Sequence, residues 1–173
     1  LKKVGLFDPF LFLYHDDLDL GWRAAQLGIK SYYVPLSVIY HAESYSLKWS
    51  SKKFFWLERN RRYCLFTHYS ADTYKKIRTY LWLVEIMVWM FYISKGFIGA
   101  KIKAEQDIKK NKKHILQKQQ ELEIKKIIPD TKLIKSFPDE IFVPKNVSGG
   151  LGSRIFNSLL RSASKKAKNK ILH

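Results

Sequence analysis

The chain is poor in sulfur: its 173 residues contain one cysteine, Cys64, and two methionines. A disulfide framework and a Cys-rich zinc site are thereby excluded, and a lone thiol fits a reducing compartment. Acidic residues are also scarce, 15 Asp plus Glu against 32 Lys plus Arg, for a net charge of +17. With 46% hydrophobic and 15% aromatic residues, that balance excludes an acidic or intrinsically disordered class. No apolar run reaches the roughly 20 residues of a spanning helix. The N-terminal LKKVGLFDPFLFLYHDD has no small-residue cleavage site of a signal peptide and no initiator Met, so the expectation is the C-terminal part of a longer polypeptide.

Charge divides the chain unevenly. Residues 1–73 hold 10 Lys/Arg and 7 Asp/Glu, whereas residues 74–173 hold 22 and 8. In the first part, Leu18, Trp22, Ala25 and Leu27 share one helical face and Gly28 follows as a stop signal, which predicts a helix over 17–27. IKSYYV and SVIYH, rich in β-branched and aromatic residues and separated by Pro35, predict two strands. The apolar LFLY before the aspartates predicts another. Ser50 and Ser51 offer caps for a second helix running to about Tyr69.

Beyond it, LWLVEIMVWMFYI is apolar nearly all round and flanked by Lys75, Lys76, Arg78 and Lys95. Such a stretch suits either a helix lying in a membrane interface or a core helix. Residues 100–128 predict one long basic helix ending before Pro129. The glycines of PKNVSGGLGS mark a linker, and Ser153 is a candidate cap for a last amphipathic segment. The expected units are 1–72, 73–128 with a membrane-interacting segment at 80–99, and 129–173.

The densest chemical signal is Asp16, Asp17 and Asp19, three carboxylates in four positions. Carboxylates favour a helix N-terminus by roughly 0.3–1 kcal/mol, which accounts for Asp19 and one of the pair. An adjacent pair at the end of an apolar strand is also suited to accept a proton from a sugar hydroxyl as its oxygen attacks. His41, closing the strand SVIYH, is either an ordinary structural histidine or a divalent-cation ligand beside carboxylates from other segments. The run Glu58, Arg59, Asn60, Arg61, Arg62 is either a phosphate clamp, since guanidinium forks match phosphate oxygens, or a solvated basic face.

Taken together, GLFDPFLFLYHDDLDLGWRAAQLGIKSYYVPLSVIYHAESYS and then ERNRRY resemble the C-terminal half of family 2 glycosyltransferases of the GT-A fold, in particular the rhamnosyltransferase-like branch. The shared order is a GxFD turn, an aromatic run into an acidic pair, DL and WR, a strand with VP, a strand ending in His, spaced serines and RNR. Residues 4–63 carry it. Pro9, where the family commonly has an acid, and His15–Asp16, where it has x–Glu, depart from the pattern.

The resemblance implies an α/β fold, the C-terminal part of a GT-A domain followed by a helical extension. It implies inverting transfer of a sugar from a nucleotide-sugar donor to a glycan or lipid-linked acceptor, as in polysaccharide or cell-wall synthesis. Asp17 falls on the base, Asp16 on a position that holds the acceptor or tunes Asp17, and His41 on a ligand of the Mg²⁺ or Mn²⁺ that bridges the donor diphosphate. Arg59 and Arg61 match RNR and are the candidates for binding the donor phosphates. The family's N-terminal nucleotide-binding half and its Asp-x-Asp motif are not in this sequence, so the chain alone is expected to be inactive. An anionic membrane surface at the cytoplasmic face is the expected partner of the basic extension. A nucleic-acid module is the rival reading, disfavoured because the aromatics and lysines do not interleave.

Overall fold

Helix signals in the sequence are realised almost throughout. In a computed structural model that describes residues 2–40, 49–138 and 151–172, with side chains from 157 onward in the last stretch, seven helices follow one another. They are α1 (Asp16–Gln26), α2 (Ser51–His68), α3 (Ala71–Ser94), α4 (Ile98–Lys110), α5 (Lys112–Lys125), α6 (Asp130–Lys135) and α7 (Leu151–Leu172). Ser50 and Ser70 cap α2 and α3, their hydroxyls accepting from the Lys53 and Thr73 amides. Gly28 and Gly96, both at positive φ, end α1 and α3 with paired reverse bonds, Ile29 N to Ala24 O and Phe97 N to Tyr92 O being the longer ones.

No strand occurs among the described residues, which corrects the expected α/β, GT-A architecture to a mainly helical small domain. The reason is pairing. Residues 29–40 have no regular structure on either side of a turn at Pro35–Leu36, and the one backbone bond within the segment is Ser37 N to Val34 O across that turn. A strand exists only when a neighbour completes its ladder. The segment instead lies open, with Leu36 95% and Tyr40 96% exposed. The expected strand LFLY is likewise a succession of tight turns. The single long helix expected over 100–128 is broken at Asn111, whose side-chain amide and backbone N–H both take the Asp107 carbonyl.

Helix α2 is the axis of the domain, with α4 and α5 folded along it and α1 against its end. Leu11, Tyr63, Cys64, Ile108 and Ile115 form one apolar cluster, and Phe54, Tyr92 and Ala100 a second. A third, of Ile77, Ile134 and Ile171, joins α3, α6 and α7. Between them lies a buried ionic knot. Lys101 on α4 is fully buried, and its Nζ meets Glu58 of α2 at 2.5 Å, Glu105 at 2.8 Å, and Glu85 of α3. Arg61 grips Glu58 with two bonds and Glu85 with a third, while Arg62 pairs with Glu85 and Glu105. Three carboxylates thus face three cations, and the desolvated charges cancel.

Burial alone would raise the Glu85 pKa, but the Lys101 hydrogen bond and the charges of Arg61 and Arg62 hold it down at about 2. A depressed carboxylate stabilises the folded state fully above its ordinary value and loses that contribution as pH falls through the folded one. Unfolding free energy is therefore expected to decline between about pH 4.5 and pH 2. Lys101→Met is expected to cost about 3–5 kcal/mol at neutral pH and to flatten that acid limb. Denaturant melts of both proteins across this range check it.

Candidate functional site

The acidic trio is split by its own helix. Asp19 turns inward and is fully buried, taking two bonds from Arg23, at 2.9 and 2.7 Å, and one contact with His68 Nε2 at 3.0 Å. Arg23 reaches on to the carbonyls of Val4 and Leu6, which fixes the N-terminal turns against α1. Trp22 stacks on His68 with ring centroids 4.8 Å apart. Trp22, Arg23 and Asp19 are therefore structural here. Asp16 is half-buried and Asp17 exposed, and neither has an ion-pair partner among the described residues. The bond that Asp17 accepts is the short one from the Leu18 amide.

What presents that pair is a strained turn. Phe12, Tyr14 and His15 all have positive φ, at 56°, 68° and 62°. Leu13 N bonds to Leu11 O at 2.6 Å, closing a three-residue turn around Phe12. Left-handed backbone costs a bulky residue of order 1–3 kcal/mol and persists only where the surroundings over-determine it. Here Asn60 does so. Its fully buried side-chain nitrogen lies 2.7–2.8 Å from the carbonyls of Leu11, Leu13 and Tyr14, which share its two N–H groups. Arg59 donates to the Phe10 carbonyl at 2.7 Å, its guanidinium lying against the rings of Phe10 and Trp56 and paired with Asp107. Those carbonyls bend inward to α2, so they cannot serve a sheet ladder.

Asp8 anchors the other end, accepting from Phe10 N and the Tyr63 hydroxyl and pairing with Lys118. Burial would raise its pKa, yet the Tyr63 hydroxyl, the Phe10 amide and Lys118 bring it below the usual value. His15, next to the acidic pair, is pushed down by burial, with Asp17 opposing and Arg61 adding to the effect. Its Nδ1 has no hydrogen-bond partner. The pair thus stands beside a neutral imidazole. Burial pushes the Cys64 thiol up, which removes it as a nucleophile at neutral pH.

Arg59 and Arg61, the candidates for phosphate binding, are both engaged, Arg59 by the turn and Asp107, Arg61 by Glu58 and Glu85. His41 lies outside the described residues. Glu58, Glu85 and Glu105 stand close enough together to hold a metal ion, but Lys101 Nζ already sits among them. An ammonium occupying that centre does not fit a divalent cation. Asn60 and His15 are what reasoning from the sequence missed. Asn60 had one signal, as the single uncharged residue in the run Glu58–Arg62.

No protein-family model, curated protein or solved structure matches this chain.

Replacing Asn60 by Ala leaves three carbonyls short of a donor, at about 1–3 kcal/mol for each that stays dry. The expected result is a loss of at least about 2 kcal/mol in chemical denaturation, with protease cleavage appearing first at residues 10–15.

Proposed function

We propose that the chain supplies the proton-accepting side of an inverting glycosyl transfer, with Asp17 as the base. The observation that carries this reading is the turn at 12–15. Three left-handed aromatic or imidazole residues in four positions are held by buried Asn60 and Arg59, and the outcome of that expense is a carboxylate pair with Asp17 exposed and Asp16 half-buried. A helix cap needs no such turn, since ordinary extended backbone does the same.

In this reading an acceptor hydroxyl lies against Asp17, whose carboxylate takes the proton as the oxygen attacks the anomeric carbon. Asp16 holds a neighbouring hydroxyl, and neutral His15 leaves the negative charge of the pair uncompensated. This reading assigns the sugar nucleotide to a segment outside these residues, and the 173-residue chain alone is expected to show no transfer. Support for the sugar itself comes from the order of motifs in residues 4–63. In the parent polypeptide, assayed against a panel of nucleotide sugars, Asp17→Asn is expected to lower transfer about 10²–10⁴-fold while donor binding is kept. Wild-type rates in that variant would overturn the assignment.

A second observation favours attachment of the same chain to an anionic membrane surface. Trp82, Ile86, Met90 and Ile93 recur at helical spacing along α3 and are all exposed, Trp82 and Met90 at 64%. At 24 residues α3 is long and apolar enough to cross a bilayer, but its other faces are in use. Glu85 belongs to the ionic knot and Ile77 packs on α7. Shallow insertion of the exposed stripe, with the surrounding lysines at the headgroups, accommodates both. The chain is expected to float with vesicles containing phosphatidylserine and not with phosphatidylcholine alone. Trp82→Ser with Met90→Ser should weaken that binding at least about tenfold.

A further inference from the structure

A hollow of about 440 Å³ lies where α2, the start of α3, α4 and α5 meet, within the roughly 300–1,000 Å³ range of ligand sites. Its floor is carbon: Phe66, Ile108, Ile115 and Leu116, of which Ile108 and Ile115 are buried in the first apolar cluster. Its rim is cationic. Arg62 is neutralised there by Glu105 and Glu85, which leaves Lys109 and Lys112 as the uncompensated charges. Neither lysine has a carboxylate or carbonyl partner among the described residues. The two stand three residues apart across the break at Asn111, so the kink sets both at one edge of the hollow.

A second hollow shares Arg62, Glu105 and Lys109 with the first and is lined by Trp82, Trp89 and Ile102. The two hollows adjoin at Arg62, Glu105 and Lys109, the second lying beside the exposed stripe of α3. The second hollow is largely charged, with Arg62, Glu85, Glu105 and Lys109 in its lining, whereas the first is a groove with two unpaired ammonium groups over hydrocarbon.

We propose that this groove binds a single aliphatic chain bearing an anionic head group, the tail on Phe66, Ile115 and Leu116 and the head between Lys109 and Lys112. Charge selects the occupant. A neutral chain leaves both ammonium groups unused, and a bare anion leaves the apolar floor wet. Binding in bulk solution does not depend on membrane attachment.

Calorimetric titration of the full chain with dodecyl phosphate, below its micelle concentration, tests the assignment against dodecanol and inorganic phosphate. Saturable binding at one site is expected, weaker by at least about tenfold for dodecanol and absent for inorganic phosphate. Leu116 is half-exposed, so Leu116→Asp should keep the fold, checked by circular dichroism, while reducing binding at least about tenfold. Lys109→Glu with Lys112→Glu should reduce it about fivefold or more and remove its salt dependence. No binding of dodecyl phosphate, as a groove made for a partner helix would give, overturns the proposal. Equal binding of dodecanol, or unchanged binding in both variants, overturns it too. Vesicle flotation lost without loss of this titration would mark failure of the membrane reading alone.

Discussion

The architecture depends on a lysine in the wrong place for a lysine. Lys101 is fully buried, and it stays so because Glu58, Glu85 and Glu105 converge on it from three helices. Desolvating one ammonium costs several kcal/mol, and the cost is offset only when the geometry of its partners is right. The knot therefore acts as a register device: α2, α3 and α4 can slide or rotate only by leaving a charge unpaired in a dry interior. Apolar clusters on either side tolerate small shifts, whereas the knot does not.

Because α2 is pinned in this way, its neighbouring residues can do a second task. Glu58, Arg61 and Arg62 face the knot, while Arg59 and Asn60, between them in sequence, face the turn at 10–15. One helical segment of five residues thus holds the domain together on one side and forces three left-handed residues on the other. The strain at Phe12, Tyr14 and His15 rests on a rigid support, which is the condition for presenting a carboxylate pair in a fixed position. The inward turn of Asp19 belongs to the same arrangement, since its bonds to Arg23 and His68 fix how far α1 projects.

The surface tells a complementary story. Large apolar side chains stand exposed along residues 29–40 and on the stripe of α3, among other places, and Lys plus Arg outnumber Asp plus Glu 32 to 15. Large exposed apolar areas mark contact sites. Beside the stripe of α3 lies a hollow lined by Trp82 and Trp89 that adjoins the lysine-edged one, so membrane contact and amphiphile binding share one physical basis, hydrocarbon bordered by positive charge.

The helices were legible because their determinants are local. Ser50, Gly28 and the spacing of Leu18, Trp22 and Ala25 bound α1 and α2 within a residue or two, and capping and periodicity need no distant partner. The acidic pair was legible as a candidate for the same reason, being a dense run of charge after apolar residues. Strands were not, because β-propensity in IKSYYV and SVIYH states a preference that only a neighbouring chain can satisfy. Nor were the sides of the aspartates: Asp17 and Asp19 differ by two positions, and only the place of Arg23 and His68 in the packed structure sends one to the interior and leaves the other in water. Asn60 and Lys101 looked like parts of solvated basic helices. Sequence by itself determined where the backbone coils and how much positive charge the chain carries. Tertiary structure decided which of those charges are neutralised, because pairing depends on three helices meeting and not on any spacing along one of them.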